Sequence, residues 1–235
     1  MFDILTPNNN EKELLDRAIE LGITHTVLLY KSISELKRKK SDFSNTYRTI
    51  YIHFGLLFAP KNSGEARKIN ERFYLETDLI AATSQDERIT RALCENPMID
   101  VVFGAATSFG RDALDYRRSG MNAILANLMK EHKQSYAISF ANILQEVGAR
   151  RAKLLGREMQ NIQLTRRKIP LIIASFASDV HQMRIIENLA ALLRVLGANY
   201  PQSKAATSTA IENLIKRKEA RRSKNFVRAG VRVVD

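Results

Sequence analysis

The 235-residue sequence has a single cysteine, Cys94. One cysteine excludes an intrachain disulfide and any metal site built from several cysteines. The sequence also lacks an uninterrupted apolar stretch of about 18 residues, which argues against a helix that spans a membrane. The opening "MFDILTPNNNEKE" has no basic segment followed by an apolar one, so we expect no secretion signal. Together these absences predict a cytoplasmic protein.

Sequence motifs for catalysis by side chains are missing as well. There is no HxH, HExxH or CxxC pattern, no G-x-S-x-G nucleophile turn, no P-loop and no glycine-rich dinucleotide fingerprint. The histidines stand far apart, at positions 25, 53, 132 and 181. We interpret Cys94 as a buried structural thiol, and Asp78 and Asp100 as residues that border strands. We therefore assign no catalytic residue, no metal ligand and no cofactor to the chain.

Acidic residues are in short supply. The chain has 25 aspartates and glutamates against 37 lysines and arginines, for a formal net charge of +12. Such a balance favours a polyanionic partner, and nucleic acid is the first candidate. Basic residues concentrate at 37–40, at 150–168 and from Lys216 to the end.

Short apolar runs rich in β-forming residues alternate with helical patterns along the chain. Runs that are apolar throughout are typical of parallel strands buried on both faces. Eight strands, each followed by a helix, predict a closed TIM-like (β/α) barrel. An open doubly wound sheet uses the same alternation, but the missing dinucleotide fingerprint disfavours it. The predicted strands are residues 2–5, 25–30, 49–59, 77–83, 99–105, 135–140, 170–177 and, more weakly, 197–200.

Amphipathic patterns predict helices at residues 11–21, 120–132 and 179–196, and "SISE" and "SQDE" have the spacing of capping boxes. We predict one α/β barrel domain over residues 1–215 and a basic tail over 216–235. The default expectation for the tail is disorder, although "NFVRAGVRVV" alternates enough to form a strand on a partner.

The residues left for function are cations. Arg88 and Arg91 are three apart on one predicted helical face, and Arg111 lies in a loop after the fifth predicted strand. Arg184 lies early in a predicted helix, and Lys204 lies among small residues after the last predicted strand. Because Arg111, Arg184 and Lys204 each follow a strand, a barrel is expected to gather them at one rim, where they would contact phosphates.

The stretch "NYPQSKAATSTAIENLIKRK", residues 199–218, sharpens this expectation. Thr209 and Glu212 have the spacing of a capping box, and the following helix has an apolar face. The helix is thus explained without a ligand. Lys204 is not, because a long cation adds nothing to packing among small residues. We expect it to be buried in a loop, where an anion or a carboxylate within the protein would account for it.

Three segments resemble the RNase P protein component 3 family, the PHP-like barrel subunits of archaeal and eukaryotic RNase P. "PQSKAATST" resembles the Q-A-K-A-(S/A)-x-S segment near the family's C-terminus. "PLIIASFASDVHQMRIIENLAALLRVLG" resembles the preceding strand, small-residue turn, arginine and helix, which places Ser175 and Ala177 on the turn and Arg184 on the arginine. Residues 99–144 resemble the family's central region. Phe176 stands where the family has a small residue, and the family's Pro-x-Asp after the arginine is absent.

The resemblance implies an RNA-binding subunit of ribonuclease P, the endonuclease that removes the 5′ leader from precursor tRNA. It implies that the RNA, with Mg²⁺, is the catalyst, and that other protein subunits are partners, among them a small ferredoxin-like one. A metal-dependent phosphoesterase of the same barrel superfamily, and a basic protein associated with ribosomes or nucleoids, stay open as alternatives. The predicted contacts to RNA or partners are Arg88, Arg91, Arg111, Arg184 and Lys204, followed in the tail by Lys216, Arg217, Lys218, Arg221 and Arg222.

Overall fold

A computed structural model describes residues 1–43, 46–84, 86–107, 112 and 117–223, and the backbone of 226–228 and 231–232. Seven parallel strands form one sheet in the order β1 to β7, with each strand beside its sequence neighbours. The first seven predicted strands are therefore confirmed. Their bounds are Phe2–Leu5, His25–Tyr30, Tyr51–Phe58, Leu79–Thr83, Val101–Phe103, Ser135–Ser139 and Leu171–Ala174.

Helices surround the sheet. The apolar faces of the long helices pack on the outward-facing side chains of the strands. Cys94 lies in this outer layer, where burial raises its pKa to about 12, as expected for a structural thiol. The helices α1 to α11 are Glu11–Glu20, Ile33–Phe43, Ser63–Ala66, Glu71–Glu76, Glu87–Glu95, Ala123–Glu131, Phe140–Gln145, Gly148–Thr165, Ile186–Val195, Tyr200–Ala206 and Thr209–Arg222.

The first and last strands meet just beyond the end of β7. Leu5 forms a parallel bridge with Ala177, and the amide of Thr6 donates to the Ala177 carbonyl at 2.8 Å. The buried Asp3 carboxylate accepts bonds from the Ser175 amide at 2.7 Å and from the Ser175 hydroxyl at 2.5 Å. The sheet is thus a nearly closed barrel, which confirms the predicted fold class.

Inward-facing side chains from the strands fill the barrel with an apolar core of their own. Helix α11 belongs to this core, because Ala210, Ile211, Leu214 and Ile215 pack on the inward-facing residues. The predicted apolar face of this helix is therefore confirmed. Because α11 covers the inner core with its apolar face, its basic residues lie on the other faces of the helix.

The predicted strand at 197–200 is wrong. Gly197, with φ of 108°, follows the end of α9, and Asn199 caps α10. The side chains of Asn199 and Gln202 form a reciprocal capping box, and proline lies in the first turn. These start signals for a helix outweigh the β propensity of a run too short to bury a strand.

Helix α11 runs through residue 216, so the predicted boundary between domain and tail falls inside a helix. The predicted Thr209–Glu212 capping box is absent, since Ser208 occupies the N-cap and its side chain makes no capping bond. Farther on, Phe226–Arg228 pairs antiparallel with Val231–Arg232 as β8 and β9. In the described part of the chain, no helix combines the length and the apolar character needed to cross a membrane.

Candidate nucleic-acid interface

The carboxyl ends of the strands surround a cavity of about 360 Å³, the C-terminal mouth of the barrel. Of the described residues that line it, Glu146 alone is charged. Two aromatic rings, Phe103 and Phe176, stack at this mouth with centroids 4.3 Å apart. Phe176 adopts φ of 47°, a left-handed conformation that is costly for a bulky residue, and it is buried. The aromatic pair fills the place where barrel enzymes put their reactive groups.

Two histidines come together at the other end of the barrel. His25 Nδ1 and His53 Nε2 are 3.4 Å apart and their rings stack. Both rings also stack with Phe2, and that of His25 stacks with Tyr51. Burial lowers the pKa of both histidines. Across the described ranges, no cluster of three or more histidine, cysteine, aspartate or glutamate side chains could hold a metal ion.

The N-terminal mouth, where the strands begin, is closed by α11 and its cations. Lys218 is 1% exposed, and its ammonium lies 2.7 Å from Asp100 Oδ2 and 3.1 Å from Thr77 Oγ1. The ammonium also lies 4.2 Å from the centre of the Tyr74 ring. Burial lowers the pKa of Lys218, against the opposing effect of Asp100. Lys218 therefore has a role inside the protein in place of the predicted RNA contact.

Its neighbours on α11 make similar contacts. Arg217 Nη2 lies 3.0 Å from Asp100 Oδ1, and Arg222 Nη1 lies 2.7 Å from Asp78 Oδ1. Arg222 also donates to the Thr77 carbonyl. Burial alone would raise the pKa of Asp78, but bonds from the Phe54 amide and from Arg222 bring it below its ordinary value. Sequence reasoning placed these aspartates at strand borders and missed that they hold α11 in place.

The other predicted tail contacts are more accessible. Lys216 is exposed and pairs with Glu212 within the helix, at 2.5 Å. The Arg221 guanidinium lies 5.1 Å from the Tyr74 ring centre. As RNA or partner contacts, Lys216, Arg217, Arg221 and Arg222 stay predictions.

Arg184 and Lys204 lie at opposite ends of the barrel, so the expectation of one shared rim is wrong. Arg184 lies between β7 and α9, on the side of the C-terminal mouth, and donates to the carbonyls of His181 and Met183, each at 2.7 Å. Its guanidinium lies 5.3 Å from the Phe140 ring centre. α9 then carries the chain to the start of the strands. The two cations do not share a rim because α9 runs from one end of the barrel to the other, and Arg184 precedes this helix while Lys204 follows it.

Lys204 is exposed on α10, not buried in a loop as expected. The Thr207 carbonyl at the end of this helix accepts a bond from the amide of Phe2, at the start of β1, which fixes its end of the barrel. Arg111 lies outside the described residues. Nearby, however, Arg157 is 5% exposed and binds Asp112 Oδ1 at 2.7 Å and the Ala106 carbonyl at 3.3 Å. Part of the basic 150–168 cluster is therefore structural.

Arg88 and Arg91 do come together as predicted, with two further arginines. A groove of about 650 Å³ between α5, α6 and α8, which we name the arginine groove, is lined by Arg88, Arg91, Arg117 and Arg118. All four are exposed. The Asp86 side chain caps α5 by accepting bonds from the amides of Arg88 and Ile89. The helix therefore begins just before Arg88, which places Arg88 and Arg91 on its first turns.

The geometry of the arginine groove suits a chain of phosphates. Arg91 Nε donates to Glu95 at 2.8 Å, and Arg117 Nη1 donates to the Gly156 carbonyl at 3.1 Å, which orients both side chains. The first residues of α6, capped by Asn122, also line the groove and add the positive end of a helix dipole. One guanidinium group can donate two parallel hydrogen bonds to the oxygens of a phosphate, so this surface can bind a nucleic-acid backbone.

Comparison with known proteins places this chain in a family. The model of a family described as RNase P subunit p30 matches residues 2–223. The chain belongs to the RNase P subunit p30 family. The match covers the barrel and α11 together, so the helix that closes the N-terminal mouth lies within the region shared with the family.

Individual proteins that are similar to this chain support the same assignment. The chain is 24% identical to ribonuclease P protein component 3 of Methanococcoides burtonii, over 97% of this chain and 89% of the relative. It is 25% identical to the Methanosarcina mazei protein of the same name, over 77% of this chain and 72% of the relative. The resemblance drawn from the three sequence segments is therefore confirmed.

Solved structures extend the comparison to the fold. A chain in a cryo-electron microscopy structure of archaeal ribonuclease P with mature tRNA matches with a TM-score of 0.80 and 20% identity, over 100% of this chain and 98% of that chain. A crystal structure of an amidohydrolase matches with a TM-score of 0.56 and 8% identity, over 88% of this chain and 67% of that chain. This chain thus shares its barrel architecture with that amidohydrolase, while two phenylalanines stack at its C-terminal mouth.

Proposed function

We propose that this p30-family chain is an RNA-binding subunit of ribonuclease P and supports removal of the 5′ leader from precursor tRNA by the RNase P RNA. The observation that carries the proposal is the family match over residues 2–223. The net charge of +12 supports it, because a subunit that stabilises a folded RNA must offset phosphate repulsion.

In this role the protein binds and orients the RNA and breaks no bond itself. The arginine groove supplies guanidinium groups that neutralise phosphates and hold them in a fixed geometry. Arg184 on the C-terminal side and Lys204 on the N-terminal side would contact separate RNA segments or partner proteins. Mg²⁺ in this proposal is bound by the RNA and supplies the hydrolytic chemistry there.

Other protein subunits complete the proposed assembly. The structural neighbour is a ribonuclease P complex with tRNA, which supports partnership with RNA and with further subunits. The small ferredoxin-like subunit implied by the sequence resemblance is part of this proposal. The proposal predicts that a small ferredoxin-like protein co-purifies with the full chain at a defined stoichiometry.

Reconstitution tests the proposal. Cleavage of precursor tRNA by the RNase P RNA is measured at limiting Mg²⁺, with and without the full chain and its partner subunits. Wild-type protein should raise the cleavage rate, and the pair Arg88→Gln and Arg91→Gln should raise it less. The matched control is Arg72→Gln with Arg150→Gln, which removes two exposed arginines, each paired with a glutamate as Arg91 is.

The result that contradicts the proposal is an unchanged cleavage rate with wild-type protein. Phosphatase activity of the isolated chain with added manganese or zinc, abolished by a chelator, would favour the metal-dependent phosphoesterase instead.

A further inference from the structure

A second cationic groove lies at the N-terminal mouth, away from the arginine groove. It has a volume of about 430 Å³ and lies between the starts of β6 and β7 on one side and α11 on the other. Four cations line it, and no described aspartate or glutamate does. We name it the basal groove, defined by Lys130, Lys133, Ser135, Lys168 and Arg217.

The wall of the basal groove contains a hydroxyl that no protein group satisfies. Ser135 is fully buried, and its Oγ has no hydrogen-bond partner. Ser135 and Ala137 point to the same face of β6, and Ala137 belongs to the inner core that α11 covers. The Ser135 hydroxyl is therefore directed towards α11 and the groove. Buried polar groups are nearly always paired in native proteins, so an ordered water or a bound group would complete this one.

A second unpartnered donor lies on the opposite wall. Arg217 uses Nη1 to bind the Lys133 carbonyl at 2.7 Å and Nη2 to bind Asp100 at 3.0 Å. Its Nε is buried and has no partner. The two bonds hold the guanidinium in place in a side chain that lines the groove.

The surrounding lysines set the charge of the ligand. Lys168 Nζ donates to Asn127 Oδ1 at 2.9 Å, which anchors it, while Lys130 and Lys133 are exposed. Asp100, the nearby carboxylate, is already bound by Arg217 and Lys218. The basal groove therefore has an excess of positive charge, two fixed donors and room for a tetrahedral anion.

We propose that the basal groove binds a phosphate group of the RNA backbone. A phosphodiester oxygen would accept from the Ser135 hydroxyl and Arg217 Nε, and the lysines would offset its charge and that of adjacent phosphates. This inference rests on the proposed function and adds a second RNA contact, on the face of the barrel opposite the C-terminal mouth.

Ser135→Ala gives the sharpest test, because no other described group of the protein bonds to the hydroxyl. Its removal should leave the free energy of unfolding unchanged or raise it, and weaken binding of RNase P RNA about fivefold, the effect of one hydrogen bond. Thr26→Val is the matched control, since Thr26 Oγ1 is also buried without a partner but lies on β2, away from the groove. It should not change RNA affinity.

Charge removal gives the second measurement. Lys130→Gln with Lys133→Asn removes two cations, and asparagine tolerates the φ of 57° found at Lys133. The slope of log affinity against log salt should become shallower by about 1.4 to 1.8, from about 0.7 to 0.9 per lost contact. The charge-matched control, Lys12→Gln with Lys31→Gln, removes two exposed lysines elsewhere and should change the slope less.

Three outcomes overturn the proposal. Unchanged RNA affinity and salt slope in both basal-groove variants would do so. Inorganic phosphate that raises the Tm of the wild type but not of Ser135→Ala, with RNA affinity unchanged, would show a free-phosphate site. Weaker assembly with the other protein subunits at unchanged RNA affinity would assign the groove to a partner's carboxylates. In each case wild-type stimulation of cleavage would leave the proposed function standing.

Discussion

The two mouths of the barrel differ in what closes them. At the C-terminal mouth, Phe103 and Phe176 stack over an almost uncharged cavity. At the N-terminal mouth, α11 packs its apolar face on the inner core, and its cations bind carboxylates that precede β4 and β5. Barrel enzymes place reactive groups at the first of these ends. In this p30-family chain the cations lie instead on the outer helices and at the N-terminal mouth.

The largest expected effect comes from the carboxylate at the N-terminal mouth. Asp100→Ala leaves the buried Lys218 and the half-buried Arg217 without their shared partner, and should lower the free energy of unfolding by about 3 to 5 kcal/mol. Urea unfolding measures the change. Glu212→Ala, which breaks an exposed pair on the same helix, is the control and should have little effect. Equal loss in both variants would show that Asp100 does not hold α11.

A substitution at the C-terminal mouth should lower the free energy of unfolding without changing the affinity for RNA. Phe176→Ala removes one ring of the buried stack and should cost about 3 kcal/mol of unfolding free energy. RNA affinity, measured well below the unfolding temperature, should stay at the wild-type value because this mouth is filled and nearly uncharged. A loss of RNA affinity in the folded variant would mean that the two mouths are not functionally distinct.

Acid should affect the contributions of Asp3 and Asp78 to stability in opposite directions. Burial raises the pKa of Asp3, at the barrel seam, to about 6, although bonds from Ser175 oppose the shift. The folded state then holds a proton more tightly than the unfolded state between pH 3.8 and about 6, so this group's contribution to stability falls as pH rises through that window. Asp78, whose pKa is lowered, contributes stability that is lost as pH falls.

Asparagine variants separate these two contributions. Asp3→Asn should remove a change in unfolding free energy of about 3 kcal/mol between about pH 3 and pH 7, because the pKa shift from 3.8 to about 6 is about 2.2 units and each unit corresponds to about 1.4 kcal/mol. Asp78→Asn should instead destabilise most at neutral pH and least in acid. Thermal unfolding at a series of pH values measures both, and profiles that change in the same direction would refute the contrast.

The smallest expected effect is at Lys204. Because its side chain is exposed, Lys204→Gln should change the free energy of unfolding by less than about 0.5 kcal/mol. If it contacts RNA, the salt slope should become shallower by about 0.7 to 0.9. Filter binding of RNase P RNA over a range of salt concentrations measures the slope, and an unchanged slope removes Lys204 from the interface.

Much of the barrel could be predicted because its signals are local. A strand such as His25–Tyr30 has a nearly continuous apolar run, and the face formed by Ile211, Leu214 and Ile215 repeats with helical spacing. The error at 197–200 was also local, since Asn199 and Gln202 already carry the start signal of α10. In the candidate site, the pairing of Arg88 with Arg91 followed from helical spacing, whereas Arg117 and Arg118 joined them only through the packing of α5 against α6.

The sequence by itself determined the alternation of strands and helices, the excess of positive charge and the family. The tertiary structure decided which cations are available to RNA. Lys218 and Lys204 look alike in the sequence, yet one is buried against Asp100 and the other faces solvent. The reason is physical: an ion pair depends on a distance in space, and residues far apart in the chain are brought within that distance only when the barrel closes around α11.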